Sequence, residues 1–286
     1  MARVGVIHSY KMLLRVMKSK PIICTSISAG TTREYLTRMK KAKSRGSDIA
    51  ELRIDFLKKK NAEDIKSIIT KSELPLVVTN RNRETGGLFS NGEKPRLSIL
   101  LSAIEARPTF VDIELATDIK DRSNIMKSAR RNNVGIICSY HDFHGTPEVD
   151  KITELYDKIC STGADIAKLV FTARNNKDVR NILNATRKLL SKKIPFTIFG
   201  MGLKGQTTRV LSPLLGSSLT YSSLYNSENN LGQLSLDKTR TFFNMMEKKG
   251  WNRLRNRSDE LIHLAMIELN DDGSYPFASI DWLIKS

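Results

Sequence analysis

Val134-Gly135-Ile136-Ile137-Cys138-Ser139-Tyr140 and, a polar interval later, Asp165-Ile166-Ala167-Lys168-Leu169-Val170-Phe171 are the two runs from which the whole chain is read. Each is short and rich in β-branched residues, the composition of a strand. The segment between them, 147–160, reads as a helix with Pro147 placed as a first-turn proline. A strand, a helix and a second strand within about 40 residues form one βα unit, and its two strands are parallel.

Six more runs of this kind lie to either side, at 21–27, 48–54, 75–80, 109–115, 195–200 and 219–224. The eight strands start at 21, 48, 75, 109, 134, 165, 195 and 219, so the intervals run from 24 residues (195 to 219) to 34 (75 to 109). Each interval holds one helix and two short loops. Helices are predicted over 31–45, 61–72, 95–106, 121–131, 147–160, 177–191 and 236–249, with Asn61 as an N-cap and Gly250 as a stop. Eight alternating units predict an α/β fold, a (β/α)8 TIM barrel with a closed parallel sheet; an open doubly wound sheet is the alternative.

Three segments follow: a basic N-terminal extension over 1–20, a (β/α)8 catalytic barrel over 21–250, and a C-terminal extension over 251–286 with no assigned role. In the last, 259–269 reads as one more amphipathic helix and 270–273 as a turn. A length of 286 residues with 40% apolar residues is that of a globular enzyme rather than a disordered chain. Cys24, Cys138 and Cys160 are odd in number and lack CxxC spacing, which points to reduced thiols in a cytoplasmic protein. The apolar stretches near the N-terminus are too short for a signal sequence or a membrane span. The net charge of +17 suits an acidic partner, but Lys and Arg are spread along the chain rather than blocked together, so no nucleic-acid partner is expected.

Strands of a parallel barrel are normally apolar on both faces, so charges within them require a reason. Glu51, Arg53 and Asp55 alternate on the second strand and share a face, as do Asp112 and Glu114 on the fourth. Arg81 follows the third strand, His141 follows the fifth, and Lys168 lies within the sixth. Alternation aims these side chains at the barrel axis near its C-terminal mouth, where such barrels carry out their chemistry. Ala164, Ile166, Ala167, Leu169 and Val170 give Lys168 an apolar wall that disfavours its ammonium form and leaves an amine able to attack a ketone. His141 is the histidine placed to move protons beside it. For any single acid, a structural ion network remains the competing explanation.

Ser139-Tyr140-His141-Asp142-Phe143-His144-Gly145-Thr146-Pro147, with Gly163-Ala164-Asp165-Ile166-Ala167-Lys168 after it, resembles the catalytic signature of type I 3-dehydroquinate dehydratases. Glu51-Leu52-Arg53-Ile54-Asp55, Val111-Asp112-Ile113-Glu114, Arg81 ahead of Gly86-Gly87, Met201-Gly202 through Arg209, and Gly232-Gln233 match as well, so the resemblance spans about 21–250. It implies a (β/α)8 barrel, commonly a homodimer, that converts the small molecule 3-dehydroquinate to 3-dehydroshikimate with no metal or organic cofactor. It further implies that Lys168 forms an imine with the ketone and that His141 is the general acid and base. Arg209 would fork onto the carboxylate, Glu51, Arg53 and Arg81 would hold hydroxyls, Ser26 is a further match, and Gln233 would close over the substrate.

The chain departs from the pattern in three places. Thr85 stands where many members have a glutamate that orients the histidine, which leaves Glu114 as a candidate for that task. Asn229 and Leu231 replace a serine and a proline of the closing loop. The 36 residues after Gly250 exceed what a barrel needs. Two rivals remain: a class I aldolase, which shares the lysine but lacks the His141, Arg209 and Gln233 set, and a basic nucleic-acid-binding protein.

Overall fold

The computed structural model describes residues 9–225, 232–257, 259–260 and 262–263. Eight strands alternate with helices: β1 (Ile22–Ile27), α2 (Thr32–Ser44), β2 (Ile49–Arg53), α3 (Ala62–Lys71), β3 (Leu76–Thr79), α4 (Glu93–Glu105), β4 (Phe110–Glu114) and α5 (Ile119–Arg131). They continue as β5 (Gly135–Asp142), α6 (Val149–Ser161), β6 (Ile166–Thr172), α7 (Asn176–Leu189), β7 (Phe196–Met201), α8 (Gly202–Leu214), β8 (Leu219–Ser223) and α9 (Leu236–Lys249). A helix α1 (Tyr10–Ser19) precedes them and α10 (Trp251–Asn256) follows. Thr31 and Asn175 close capping boxes with Glu34 and Asp178, which sets where α2 and α7 begin.

All recorded strand pairs are parallel, in the order β7-β6-β5-β4-β3-β2-β1-β8, and the sheet curls into a nearly closed barrel. This is the TIM-barrel plan. The remaining seam, between β7 and β8, has no regular ladder. It is held by the Ser218 N–H donating to the Phe196 carbonyl at 2.7 Å, by the Thr197 hydroxyl on the Leu219 carbonyl at 2.7 Å, and by the Ile198 N–H on the Ser217 hydroxyl at 3.3 Å. Side-chain hydroxyls thus stand in for backbone partners where the two strands meet.

Two apolar layers result. One fills the space between the strands and the surrounding helices; the other fills the barrel itself, from Ile22, Ile49, Val77, Phe110, Ile137 and Ile166 near the strand starts. Tyr10 and Met17 of α1 belong to the inner layer, with Tyr10 set edge-on to Phe110 at 6.1 Å. The basic N-terminal extension therefore contains a helix that stoppers the barrel at the end opposite the strand C-termini.

One local expectation is corrected. Pro147 is not in the first turn of α6: Glu148 occupies the N-cap and the helix begins at Val149, so the proline ends the approach loop. Beyond the C-cap Gly250, Trp251 packs edge-on to Phe243 at 5.3 Å and is buried with Leu254. Of the helix predicted over 259–269, residues 259, 260, 262 and 263 are helical; the rest of it, and the turn at 270–273, lie outside the described residues.

Candidate active site

Above the inner apolar layer the barrel turns polar. Ser26, Glu51, Asp112, Ser139 and Lys168 come from five different strands and meet through hydrogen bonds. Lys168 Nζ donates to Asp112 Oδ2 at 3.0 Å and to Glu51 Oε1 at 3.3 Å, and its ammonium also sits 4.1 Å from the centre of the Tyr221 ring. The Ser139 hydroxyl donates to Asp112 Oδ1 at 2.6 Å, and the hydroxyls of Ser26 and Thr79 donate to Glu51 at 2.7 and 2.9 Å. Burial pushes the Glu51 carboxyl up, but Lys168, Arg53 and the Ser26 hydroxyl outweigh it and bring it down to about 2, so Glu51 is an anion at neutral pH. Lys168 is therefore not held against an apolar wall alone, as its sequence neighbours suggested. Ala164, Ala167 and Leu169 pack outward against the helices, Ile166 and Val170 flank the lysine on the inward face, and that face also supplies two carboxylates and an aromatic ring.

His141 is the penultimate residue of β5, inside the strand rather than after it as expected, and pairs with Val170 of β6. Its Nε2 is 2.5 Å from Arg81 Nη1, and since a guanidinium only donates, Nε2 is the acceptor and Nδ1 carries the proton. Nδ1 is buried and meets no hydrogen-bond partner among the described residues. Burial first, then the charges of Arg81, Lys168 and Arg53, drives His141 well below the ordinary imidazole range, which leaves it neutral. The Phe143 ring stacks on the imidazole at 6.3 Å and an 18° tilt.

The Gly86-Gly87 pair makes this geometry possible. A Cβ on Gly86, whose φ is +79°, would come within 2.7 Å of the Phe143 ring, and one on Gly87 would collide with the Arg81 carbonyl. Two glycines thus let the β3–α4 loop fold back over Arg81 and against Phe143.

Glu114 does not orient His141. It ends β4, where the inward alternation stops, and pairs with the fully buried Arg96 of α4 at 3.3 Å; Arg96 also binds Glu93 and the Asn80 carbonyl. Asp55 likewise leaves the shared face predicted for it. β2 ends at Arg53, a 3-10 turn follows, and Arg53 grips Asp55 through two bonds of 2.9 and 2.7 Å.

Arg209, from α8, is buried with its guanidinium 4.3 Å over the Phe199 ring of β7. Burial lowers it to about 9, so it still carries its charge at neutral pH. Glu51, Arg53, Arg81, His141, Lys168, Arg209 and Gln233 all line one cavity of about 60 Å³, together with Thr85, Gly86, Phe143, Val170, Phe199, Met201 and Tyr221. Of the catalytic and substrate-binding residues that the resemblance implies, Ser26 alone is outside that lining, one bond behind Glu51, and the predicted inward acids Asp55, Asp112 and Glu114 are outside it as well. Asn229 and Leu231 lie outside the described residues. Larger clefts of about 690 and 980 Å³ lie beside α4 and between α5 and α6, and neither contains Lys168 or His141.

Sequence reasoning marked Asp112 as an inward charge but did not place it at Lys168, and it missed Ser139 and Tyr221. Register would have found Ser139, which is the direct cross-strand neighbour of Lys168. Tyr221 carries no signal beyond its place on the eighth strand, opposite Cys24.

A parallel eight-stranded barrel whose strand ends deliver a lysine, a histidine, carboxylates and guanidinium groups into one small cavity is the plan of an α/β-barrel enzyme acting on a small molecule. The chain belongs to the type I 3-dehydroquinase family, whose model matches residues 23–250. It is 31% identical over 230 residues to the 3-dehydroquinate dehydratase of Methanosarcina mazei, covering 78% of this chain and 95% of that one. With the enzyme of the same name from Methanocaldococcus jannaschii it shares 36% over 203 residues, 71% of this chain and 89% of the other. The crystal structure of 3-dehydroquinate dehydratase from Geobacillus kaustophilus superposes with a TM-score of 0.75 at 24% identity, over 80% of this chain and 92% of that one, a likeness of fold. The chain is thus an enzyme of the type I 3-dehydroquinate dehydratase family, a lyase whose reaction belongs to the shikimate pathway. Among the described residues no helix is long and apolar enough to cross a membrane.

Proposed function

We propose that the protein dehydrates 3-dehydroquinate to 3-dehydroshikimate through an imine formed on Lys168, with His141 as general acid and base and with no metal or organic cofactor. The observation that carries this reading is that Lys168 and a neutral His141 line the same cavity at the barrel mouth of a chain from this family. Lys168 loses a proton and its nitrogen attacks the ketone carbon. The carbinolamine then expels water, which leaves a protonated imine. His141 takes a proton from the neighbouring carbon, and the electron pair of that C–H bond moves into the iminium to give an enamine. The enamine expels the hydroxyl one carbon further on, which departs as water with the proton from His141. Hydrolysis of the remaining imine frees the enone product and restores Lys168.

Before this can begin, Arg81 must leave the Nε2 lone pair it occupies, and a cavity of about 60 Å³ must open. The incoming substrate does both: its hydroxyls draw Arg81 away, and Glu51 and Arg53 take further hydroxyls, with Ser26 holding Glu51 from behind. Arg209 forks onto the carboxylate, an interaction strengthened by its burial. Gln233 closes over the ring.

In Lys168→Ala, absorbance from the enone product is expected to vanish while substrate binding stays measurable, because the carboxylate and hydroxyl contacts remain. Wild-type turnover in that variant would overturn the mechanism. The same reading takes the enzyme as a cytoplasmic homodimer. Light scattering should then give twice the 32.3 kDa chain mass, and a single-chain mass would refute the dimer.

A further inference from the structure

Three partners surround Lys168 Nζ: Asp112 at 3.0 Å, Glu51 at 3.3 Å and the face of Tyr221 at 4.1 Å. They differ in what they require of the nitrogen. Each carboxylate accepts an N–H, and an ammonium has three to give. A protonated imine keeps one, so at most one carboxylate bond survives the conversion. The ring needs no hydrogen, and its quadrupole attracts a positive charge more strongly once hydrogen bonds to carboxylates no longer share that charge, so it favours the iminium over the ammonium.

The ring is also fixed in place. Tyr221 is buried on β8, its Cα is opposite Cys24 of β1, and its ring packs against Phe199 at 5.6 Å. Phe199 in turn carries the Arg209 guanidinium on its face. The cation proposed to anchor the carboxylate and the cation proposed to form the imine therefore rest on two aromatic rings that touch each other. The Tyr221 hydroxyl is close to the Cys24 thiol and meets no geometric hydrogen-bond partner among the described residues. Burial keeps it a neutral phenol.

We infer that Tyr221 is a further catalytic residue, whose ring face stabilises the positive charge of the Lys168 iminium after the carboxylate hydrogen bonds have been reduced to one. This rests on the imine reading above. The ring is the agent and the hydroxyl is not. Phenylalanine at 221 therefore serves as well, and a residue of similar bulk without a π-face does not.

Cyanoborohydride reduces the protonated imine and leaves the free ketone, so with the full chain and saturating 3-dehydroquinate its trapping rate reads the iminium population. Tyr221→Phe should trap and turn over within about twofold of wild type. Tyr221→Leu should lose roughly 5- to 10-fold in both, with KM little changed, the size expected for the difference between a desolvated and a hydrogen-bonded cation on the same ring. Because removing the ring could unfold the barrel, the second series places phenylalanine with one, two and three ring fluorines at 221, which keeps the shape and drains the π-face stepwise. A stepwise fall in trapping rate supports the inference. Equal trapping across the fluorine series, or a Tyr221→Phe variant as slow as Tyr221→Leu, overturns it. Failure of the wild-type chain to trap at all defeats the imine reading itself, and the inference with it, and so is told apart from both.

Discussion

His141 is held by cations and an aromatic ring rather than by a carboxylate. Arg81 covers its Nε2, Lys168 and Arg53 add positive potential, Phe143 lies flat against it, and Asp112 is screened from it behind Arg81. Protonating it places a fourth positive charge among three, so its pKa in the folded enzyme is depressed. The neutral, basic form then persists to lower pH than an ordinary imidazole allows. Thr85 lines the same cavity, and Thr85→Glu would put an anion near the ring. An anion favours imidazolium, so the acid limb of the pH profile of kcat/KM is expected to move to higher pH in that variant; an unmoved limb, or one shifted lower, would contradict this electrostatic account. Lys168, His141, Glu51, Arg53 and Arg81 were legible in the sequence because charges on apolar strands have few places to go. Glu114 misled because period-two alternation carries no information about where a strand stops, and the true partner, Arg96, comes from a helix face. Tyr221 was hidden because an aromatic residue on a strand has an ordinary packing explanation.

At the scale of elements, eight strands and the helices between them follow from runs of β-branched residues and from capping residues such as Asn61, whose side chain accepts the Asp64 N–H at 2.7 Å. The boundaries moved by at most two residues. Closure of the barrel was legible, but how the β7–β8 seam is held was not, because it depends on Thr197 and Ser217 hydroxyls that carry no distinguishing signal in sequence. Nor was the use of the N-terminal extension. It read only as a basic extension, yet Met17 is 3% exposed at the foot of the barrel. Met17→Ala should therefore cost about 2–4 kcal/mol in urea unfolding, the range for truncating a buried methionine. Because α1 is at the opposite end from Lys168, kcat of the folded variant should stay near wild type. A loss under about 0.5 kcal/mol, in the range of a surface substitution, would mean that the helix does not stopper the barrel.

For the molecule as a whole, the barrel separates stability from chemistry along its axis. An apolar layer capped by α1 fills the end where the strands start, and a polar layer with a net of fixed hydrogen bonds occupies the end where they finish. The chain carries a net charge of +17 and its site is lined by Arg53, Arg81 and Arg209, a potential that favours an anionic substrate. The central claim is the covalent bond to Lys168. The most direct measurement is the intact mass of the protein mixed with 3-dehydroquinate and reduced with borohydride, followed by peptide mapping. One reduced adduct per chain, on the peptide containing Lys168 and accompanied by loss of activity, is the result expected; an unmodified chain, or an adduct on a different lysine with Lys168 free, would contradict the account.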